Sequence, residues 1–334
     1  MLETKTINSK KAAYKAFKNA FPPTEQGYLR RIHGYLYLKY IRLYIYYTSV
    51  AVNMLRPVPL KLVKPEGVGY DEVDDVVQYS TDIINATTMN RKTNGYHAKV
   101  MIPDDAKKLF SLKEDLNLPD LPKTIVPYDV ARRTIIRNPD RILLVDCPCR
   151  SARGEEACQP MNVCMSLGEP WVSFMLENNE DLERMHARLI TQEEALEILR
   201  QQHEQGNIHA AFYKDGCGDQ LYGFCNCCTC CCVALTAQNY AKAPLYASSG
   251  YKRKVDKSKC KNCGTCASYC HFFSPKMVDG AMVEQPEKCM GCSVCKDKCP
   301  NGAISLVRDD PSVSEPLDLD VLIPLYTPEG GITV

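Results

Sequence analysis

Eight cysteines toward the end of the chain repeat one spacing. Cys260, Cys263, Cys266 and Cys270 form C-x2-C-x2-C-x3-C, and Cys289, Cys292, Cys295 and Cys299 form it again, followed by Pro300. Cys289 stands 29 residues after Cys260, and Cys299 stands the same distance after Cys270. Two residues between thiolates let a backbone curl around a cubane and reach three of its irons from one loop. A fourth thiolate then follows at the start of a helix. That spacing, given twice, is the ligand pattern for two [4Fe-4S] clusters. Zinc also binds C-x2-C pairs, but zinc needs neither the third step nor its repetition at identical intervals. Gly264 and Gly291 suit tight loops whose N–H groups point at sulfur, which stabilises a reduced cluster. His271 occupies the place that Pro300 takes in the second run. A tolerated surface substitution is expected there, the alternative being a pH-dependent influence on the nearby cluster.

The two runs resemble a bacterial dicluster ferredoxin domain over about residues 255–308, roughly one-sixth of the chain. In that pattern the fourth cysteine of each run ligates the other cluster. The resemblance therefore implies Cys260, Cys263, Cys266 and Cys299 for one cluster, and Cys289, Cys292, Cys295 and Cys270 for the second.

Eleven further cysteines lie upstream. Asp146-Cys147-Pro148-Cys149-Arg150 is followed by Cys158 and Cys164, then by Cys217 and the dense run Cys225, Cys227, Cys228, Cys230, Cys231 and Cys232. Thiols at this density are ligands for at least one more metal centre. Cys147, Cys149, Cys158 and Cys164 offer one complete four-thiolate set, with Arg150 as a donor of charge and hydrogen bonds. Adjacent cysteines such as Cys227 and Cys228 point in different directions. They suit a larger or open cluster, or two sites that share a wall. A structural zinc site is the alternative. The Cys-Cys pairs resemble those of the cysteine-rich modules of heterodisulfide reductases, without that module's full spacing. The order of Asp146–Arg150, Asn226–Cys232 and Cys260–Pro300 resembles a group of 4Fe-4S dicluster-domain proteins of anaerobic bacteria and archaea, over most of 95–308. That resemblance implies a cytoplasmic redox role without naming a substrate.

The rest of the chain must position these thiols. With 334 residues, 45% apolar content and a net charge of +1, it reads as an ordinary globular protein with no reason to bind nucleic acid. Nineteen cysteines in a chain this long, with no apolar leader among Met1–Ala20, point to metal-binding thiolates in a reducing compartment rather than disulfides. The expected fold is α+β: a mostly helical N-terminal region (1–120), a mixed α/β cysteine-rich domain (121–250), a ferredoxin-like dicluster domain with a pseudo-two-fold repeat (251–308) and an extended tail (309–334). Residues 1–24 read as a basic amphipathic helix ended by Pro22 and Pro23. Asp71–Asn90 and Asp104–Leu112 are helix candidates, and Ile142–Val145 is a buried strand. Thr191 and Glu194 open a helix that Gly206 closes. Lys252–Lys261 reads as a basic linker.

The Tyr-rich stretch Tyr28–Leu55 is broken by Arg30, Arg31, Lys39 and Arg42. Its longest uncharged run, Leu43–Leu55, has 13 residues, short of the ~18–20 needed to span a bilayer. Core or interface packing is expected, as two helices or as a strand and a helix, with peripheral membrane contact the alternative. His97, His186, His203 and His209 fall in no ligand-spaced pair, and Gly216 and Gly218 make no phosphate-binding fingerprint. Two readings of function remain. One is an electron relay within an anaerobic redox complex, served by a ferredoxin, a flavoprotein or a catalytic subunit. The other is a catalytic iron–sulfur subunit that reduces a disulfide or thiol at the middle centre.

Overall fold

A computed structural model of the chain describes residues 9–89, 96–127 and 133–326. The first turns of the expected N-terminal helix, Asn90 and the end of the tail lie outside those residues. The chain opens with α1 (Lys10–Asn19), α2 (Glu25–Lys39), α3 (Ile41–Asn53) and α4 (Tyr70–Met89). Ser9 and Thr24 cap α1 and α2 by accepting from the N–H groups of Ala12 and Gly27. There follow β1 (Tyr96–Met101), α5 (Pro103–Leu109), β2 (Leu116–Leu118), β3 (Thr134–Asp146), α6 (Pro148–Ser151), β4 (Asn162–Glu169), α7 (Trp171–Asn178) and β5 (Arg188–Ile190). Next come α8 (Gln192–Glu204), β6 (Ile208–Lys214), β7 (Gln220–Cys227), α9 (Val233–Tyr240) and β8 (Tyr246–Ala247). The C-terminal part holds β9 (Tyr251–Val255), α10 (Thr265–Ser268), β10 (Pro275–Val278), β11 (Ala281–Glu284), α11 (Val294–Asp297), β12 (Ile304–Arg308) and α12 (Leu319–Tyr326).

An eight-stranded sheet in the order β2-β3-β4-β7-β6-β1-β8, with β5 on β3, forms the centre. Its ladders are antiparallel except for β1 against β8. The architecture is α+β. Strands buried on both faces read as continuous apolar runs, and Ile142–Val145 behaves so: Leu143 and Val145 face the core beneath α2, α3, α7 and α9, while Ile142 and Leu144 face the one beneath α5, α8 and α12. Thr191 Oγ1 accepts from the Glu194 N–H at the start of α8.

Three expectations are corrected. The division at residue 120 separates no two bodies, because β1 and β2, both before it, pair with β6 and β3. Short strands carry too little periodicity to stand out beside long helices. The tail is not simply extended, since α12 buries Leu319 and Leu322 against α5 and β2 despite Pro324. The basic linker begins as β9, whose register with β12 pairs Arg253 with Leu306.

The Tyr-rich stretch is α2 and α3, and both help to build the core. Tyr37, Leu38, Tyr40, Ile41, Leu43, Tyr44 and Ile45 are buried. Among the described residues, no helix is long and apolar enough to cross a membrane. Helix α2 is seated by backbone contact between Gly34 and Gly216, in the turn between β6 and β7. A Cβ on Gly34 would lie 1.7 Å from the Gly216 carbonyl oxygen. That neighbour is backbone, which cannot swing aside, so only glycine permits the approach. Gly34→Ala is therefore expected to lift α2 off the sheet and to cost ~1–3 kcal/mol, the range for overpacking a tight contact. Denaturant unfolding under anaerobic conditions measures this, and an unchanged midpoint would show that α2 is not held there.

Candidate metal centres

The pleat decides where the upstream thiols go. Residues two apart on a strand share a face, and directly paired residues on neighbouring strands share it too. Cys225 and Cys227 lie two apart on β7, and Cys164 on β4 pairs directly with Cys225. Cys147 leaves the end of β3 as the N-cap of α6, which carries Cys149, and Cys232 caps α9. The result is a closed ring of thiol–thiol interactions. Cys147 meets Cys149 and Cys164, Cys164 meets Cys225, Cys225 meets Cys227, Cys227 meets Cys232, and Cys232 meets Cys149. The ring borders a cavity of about 70 Å³ roofed by Tyr37, Leu38, Ile41 and Ile45 of α2 and α3. The Tyr37 hydroxyl is 2.7 Å from that of Tyr222, and the Tyr246 hydroxyl is 3.4 Å from Cys232 Sγ.

Cys228 follows Cys227 just past the end of β7 and, like Cys231, also borders the ring's cavity. Cys158, Cys228, Cys230 and Cys231 bring four Sγ atoms within 4.8 Å of one another. The expected set of Cys147, Cys149, Cys158 and Cys164 is thereby broken up. Cys158, beyond the turn at Gly154–Glu156, reaches Cys230 Sγ at 2.7 Å, while the other three join the ring. Cys217 joins neither group. It is fully buried in the core, and burial pushes its thiol up, opposed by Lys214.

Both groups show the strain of crowded thiols. Cys147 is held well below the ordinary thiol range by its interactions with Cys149 and then Cys164, and these two are pushed up in turn, each first by Cys147. Cys231 is pulled down by Cys228 and then Cys230, while Cys228 is pushed up. Neighbouring thiols cannot all ionise unaided. A cationic centre removes that opposition by taking the place of the protons. Arg150 supplies one fixed positive charge. It is 1% exposed, and although burial opposes its charge, Cys147, Cys228, Cys164 and Cys231 outweigh that effect. Its guanidinium donates to the Pro160 carbonyl and, at 3.4 Å, to Gln202 Oε1. One guanidinium thus stands between both thiol groups.

In the C-terminal part the repeated spacing becomes repeated geometry. Helices α10 and α11 occupy matching positions of the two runs, and left-handed residues fall at matching places: Asn262 and Gly291, Gly264 and Ser293, Phe273 and Gly302. The Ser274 N–H donates to Cys270 Sγ at 3.3 Å, and the Ala303 N–H to Cys299 Sγ at 3.4 Å. Cys260, Cys263, Cys266, Cys289 and Cys299 line one cavity. Cys270, Cys289, Cys292 and Cys295 line another.

His271 is not the surface residue expected. Its Nδ1 accepts from the Thr229 N–H at 3.2 Å and its Nε2–H donates to the Gly206 carbonyl at 2.8 Å, so the imidazole is neutral and fastens this part to the loop of Cys228–Cys232. Three of the other histidines bond to side chains outside the thiol groups: His209 Nδ1 is paired with Asn226, His203 with Asp297 and exposed His186 with Asp146.

Arg253, within the stretch expected to be a basic linker, touches both C-terminal cavities. Its side chain is 6% exposed, with a guanidinium nitrogen 3.8 Å from Cys266 Sγ and another 2.8 Å from Glu284. The Tyr251–Val255 stretch, with β-branched or aromatic residues at its ends, was the available sign of a strand that would aim Arg253 inward.

Residues 282–305, from β11 into β12, match the 4Fe-4S binding domain family. No curated protein and no solved structure matches the chain. The chain carries a ferredoxin-type iron–sulfur domain, and it offers further cysteine-rich sites beyond it.

A fixed positive charge beside a cluster makes it easier to reduce. Arg253→Gln is expected to move the midpoint potential of the ferredoxin-type domain to more negative values, with Arg253→Lys restoring most of the shift. EPR-monitored redox titration measures both. Equal potentials in all three proteins would leave Arg253 with only its ion pair to Glu284.

Proposed function

We propose that this protein is an electron relay in which two C-terminal [4Fe-4S] clusters exchange single electrons with a further iron–sulfur centre held by the ring of Cys147, Cys149, Cys164, Cys225, Cys227 and Cys232. The clusters would be held by the crossed sets, Cys260, Cys263, Cys266 and Cys299 for one and Cys289, Cys292, Cys295 and Cys270 for the other. The matching geometry of the two runs, and the way the cavities divide the eight thiols, support this dicluster reading.

One observation carries the relay. The Tyr246 hydroxyl touches Cys232 of the ring, the Tyr246 ring packs edge-on against Phe272 with centroids 5.6 Å apart, and Phe272 is two residues from Cys270. Tyr246 and Phe272 are each 4% exposed. A packed and dry aromatic bridge thus joins the ring to a ligand of the second cluster. Bound centres at both ends would exchange electrons across this short path, while the protein keeps water away from it.

The catalytic reading draws less support. Leu38, Ile41 and Ile45 roof the ring with apolar side chains, and Tyr37 is committed to Tyr222. Nothing in that roof recognises a disulfide or a thiol. The relay reading places the protein in a redox complex with a ferredoxin, a flavoprotein or a catalytic subunit as its partner, in a reducing compartment such as the cytoplasm of an anaerobe.

Iron content tests the ring. Anaerobically purified protein is expected to hold more than the eight irons that two cubanes require. A Cys164→Ser/Cys225→Ser double variant is expected to lose the excess and to keep the EPR signals of the reduced ferredoxin-type clusters. Eight irons in both proteins would overturn the ring centre.

A further inference from the structure

We propose that Cys158, Cys228, Cys230 and Cys231 bind a single zinc ion, tetrahedrally and without an open position, as a clamp separate from the electron path. The assignment does not depend on what the six-thiol ring holds.

Distance argues for one ion. All four Sγ atoms lie within 4.8 Å of one another, with Cys230 Sγ 2.7 Å from Cys158 and 2.9 Å from Cys228. Zn–S bonds of about 2.3 Å in a tetrahedron set sulfurs about 3.8 Å apart, so small outward movements complete the site. A cubane places each of its thiolates on a different iron at a different corner, and so spreads them farther. Four thiolates with no histidine, carboxylate or water make the closed ligand set of a structural zinc site.

Position and charge agree. Three of the ligands come from one tight loop, where the Cys232 N–H donates to the Cys228 carbonyl at 3.0 Å. The fourth comes from the segment after α6, and the Cys158 N–H already donates to Cys231 Sγ at 3.5 Å. The Arg150 guanidinium faces Cys228 and Cys231 and offsets part of the −2 charge of a zinc tetrathiolate. Cys230 is exposed, so the ion has a way in, while Cys228 and Cys231 are buried. None of the four ligands is the thiol that Tyr246 touches, which is Cys232, and a metal without redox chemistry suits a site beside the bridge.

What the ion clamps is the junction of the molecule. The same loop receives Arg56, whose guanidinium donates to the Thr229 carbonyl at 3.2 Å. Through the Thr229 N–H it also holds His271 of the C-terminal part. Zinc binding would displace the thiol protons and fix this loop, and with it Cys227 and Cys232 on either side.

The test is metal analysis with zinc-edge X-ray absorption on the anaerobically purified full chain. The expected result is one zinc per chain with four sulfur neighbours at about 2.3 Å and no iron neighbour. Cys158→Ser and Cys230→Ser should lose most of that zinc while keeping the iron content of the parent. Should either variant fail to fold, the absorption spectrum of the parent still decides. No zinc, a nitrogen or oxygen neighbour, an iron neighbour, or iron lost in place of zinc would each overturn the assignment.

Discussion

Parity along β7 and the end of that strand at Cys227 govern the arrangement of the thiols. Side chains alternate across a strand, so Cys225 and Cys227 share one face, and β7 ends at Cys227, where the chain enters the loop that carries Cys228, Cys230 and Cys231. Cross-strand pairing adds Cys164 to the first face, and the turns that end β3 and open α9 add Cys147, Cys149 and Cys232. A register slip of one residue would send every thiol of β7 to the opposite side. The sheet therefore does more than support the centres. Its pleat gathers one group of thiols, the loop after β7 carries the other, and α2 and α3 roof the first.

Charge is the second constraint. Concentrating thiolates inside a protein is opposed by their mutual repulsion and by burial. Two buried guanidiniums stand among the thiol groups. Arg150 lies between the ring and the four-thiol group, and Arg253 touches the cavities of both C-terminal runs. Each arginine can influence two centres at once, which couples their electrostatics without any contact between them. His271 and Thr229 supply the mechanical counterpart by fastening the C-terminal part to the cysteine loop.

What could be read from the sequence follows the range of the interactions involved. The eight C-terminal cysteines carry their meaning in local spacing, because each run places three thiols close together on one short loop. The helix opened by Thr191 and the strand at Ile142–Val145 are local for the same reason. The division of the upstream thiols is not local. Cys158 looks like a neighbour of Cys149 and Cys164 in sequence, yet it pairs with Cys230, 72 residues away, because the turn after α6 carries it off the ring face. Tyr37 and Tyr246 offered no signal, since their roles arise only where α2 and β8 meet the sheet. The Lys-rich look of Lys252–Lys261 concealed the strand Tyr251–Val255, two of whose charged side chains, those of Lys252 and Arg253, border a cysteine-lined cavity.

Freeze-quenched EPR during sub-stoichiometric reduction tests the central claim most directly, because it shows whether the ring centre and the second C-terminal cluster belong to one electron path. Joined by Tyr246 and Phe272, the two centres are expected to share the added electron and to show spin–spin interaction once both are reduced. Replacing Phe272 with Ala should slow the sharing while leaving both centres loaded. An electron confined to the C-terminal clusters, or signals of the fully reduced protein that are the simple sum of isolated centres, would contradict the relay.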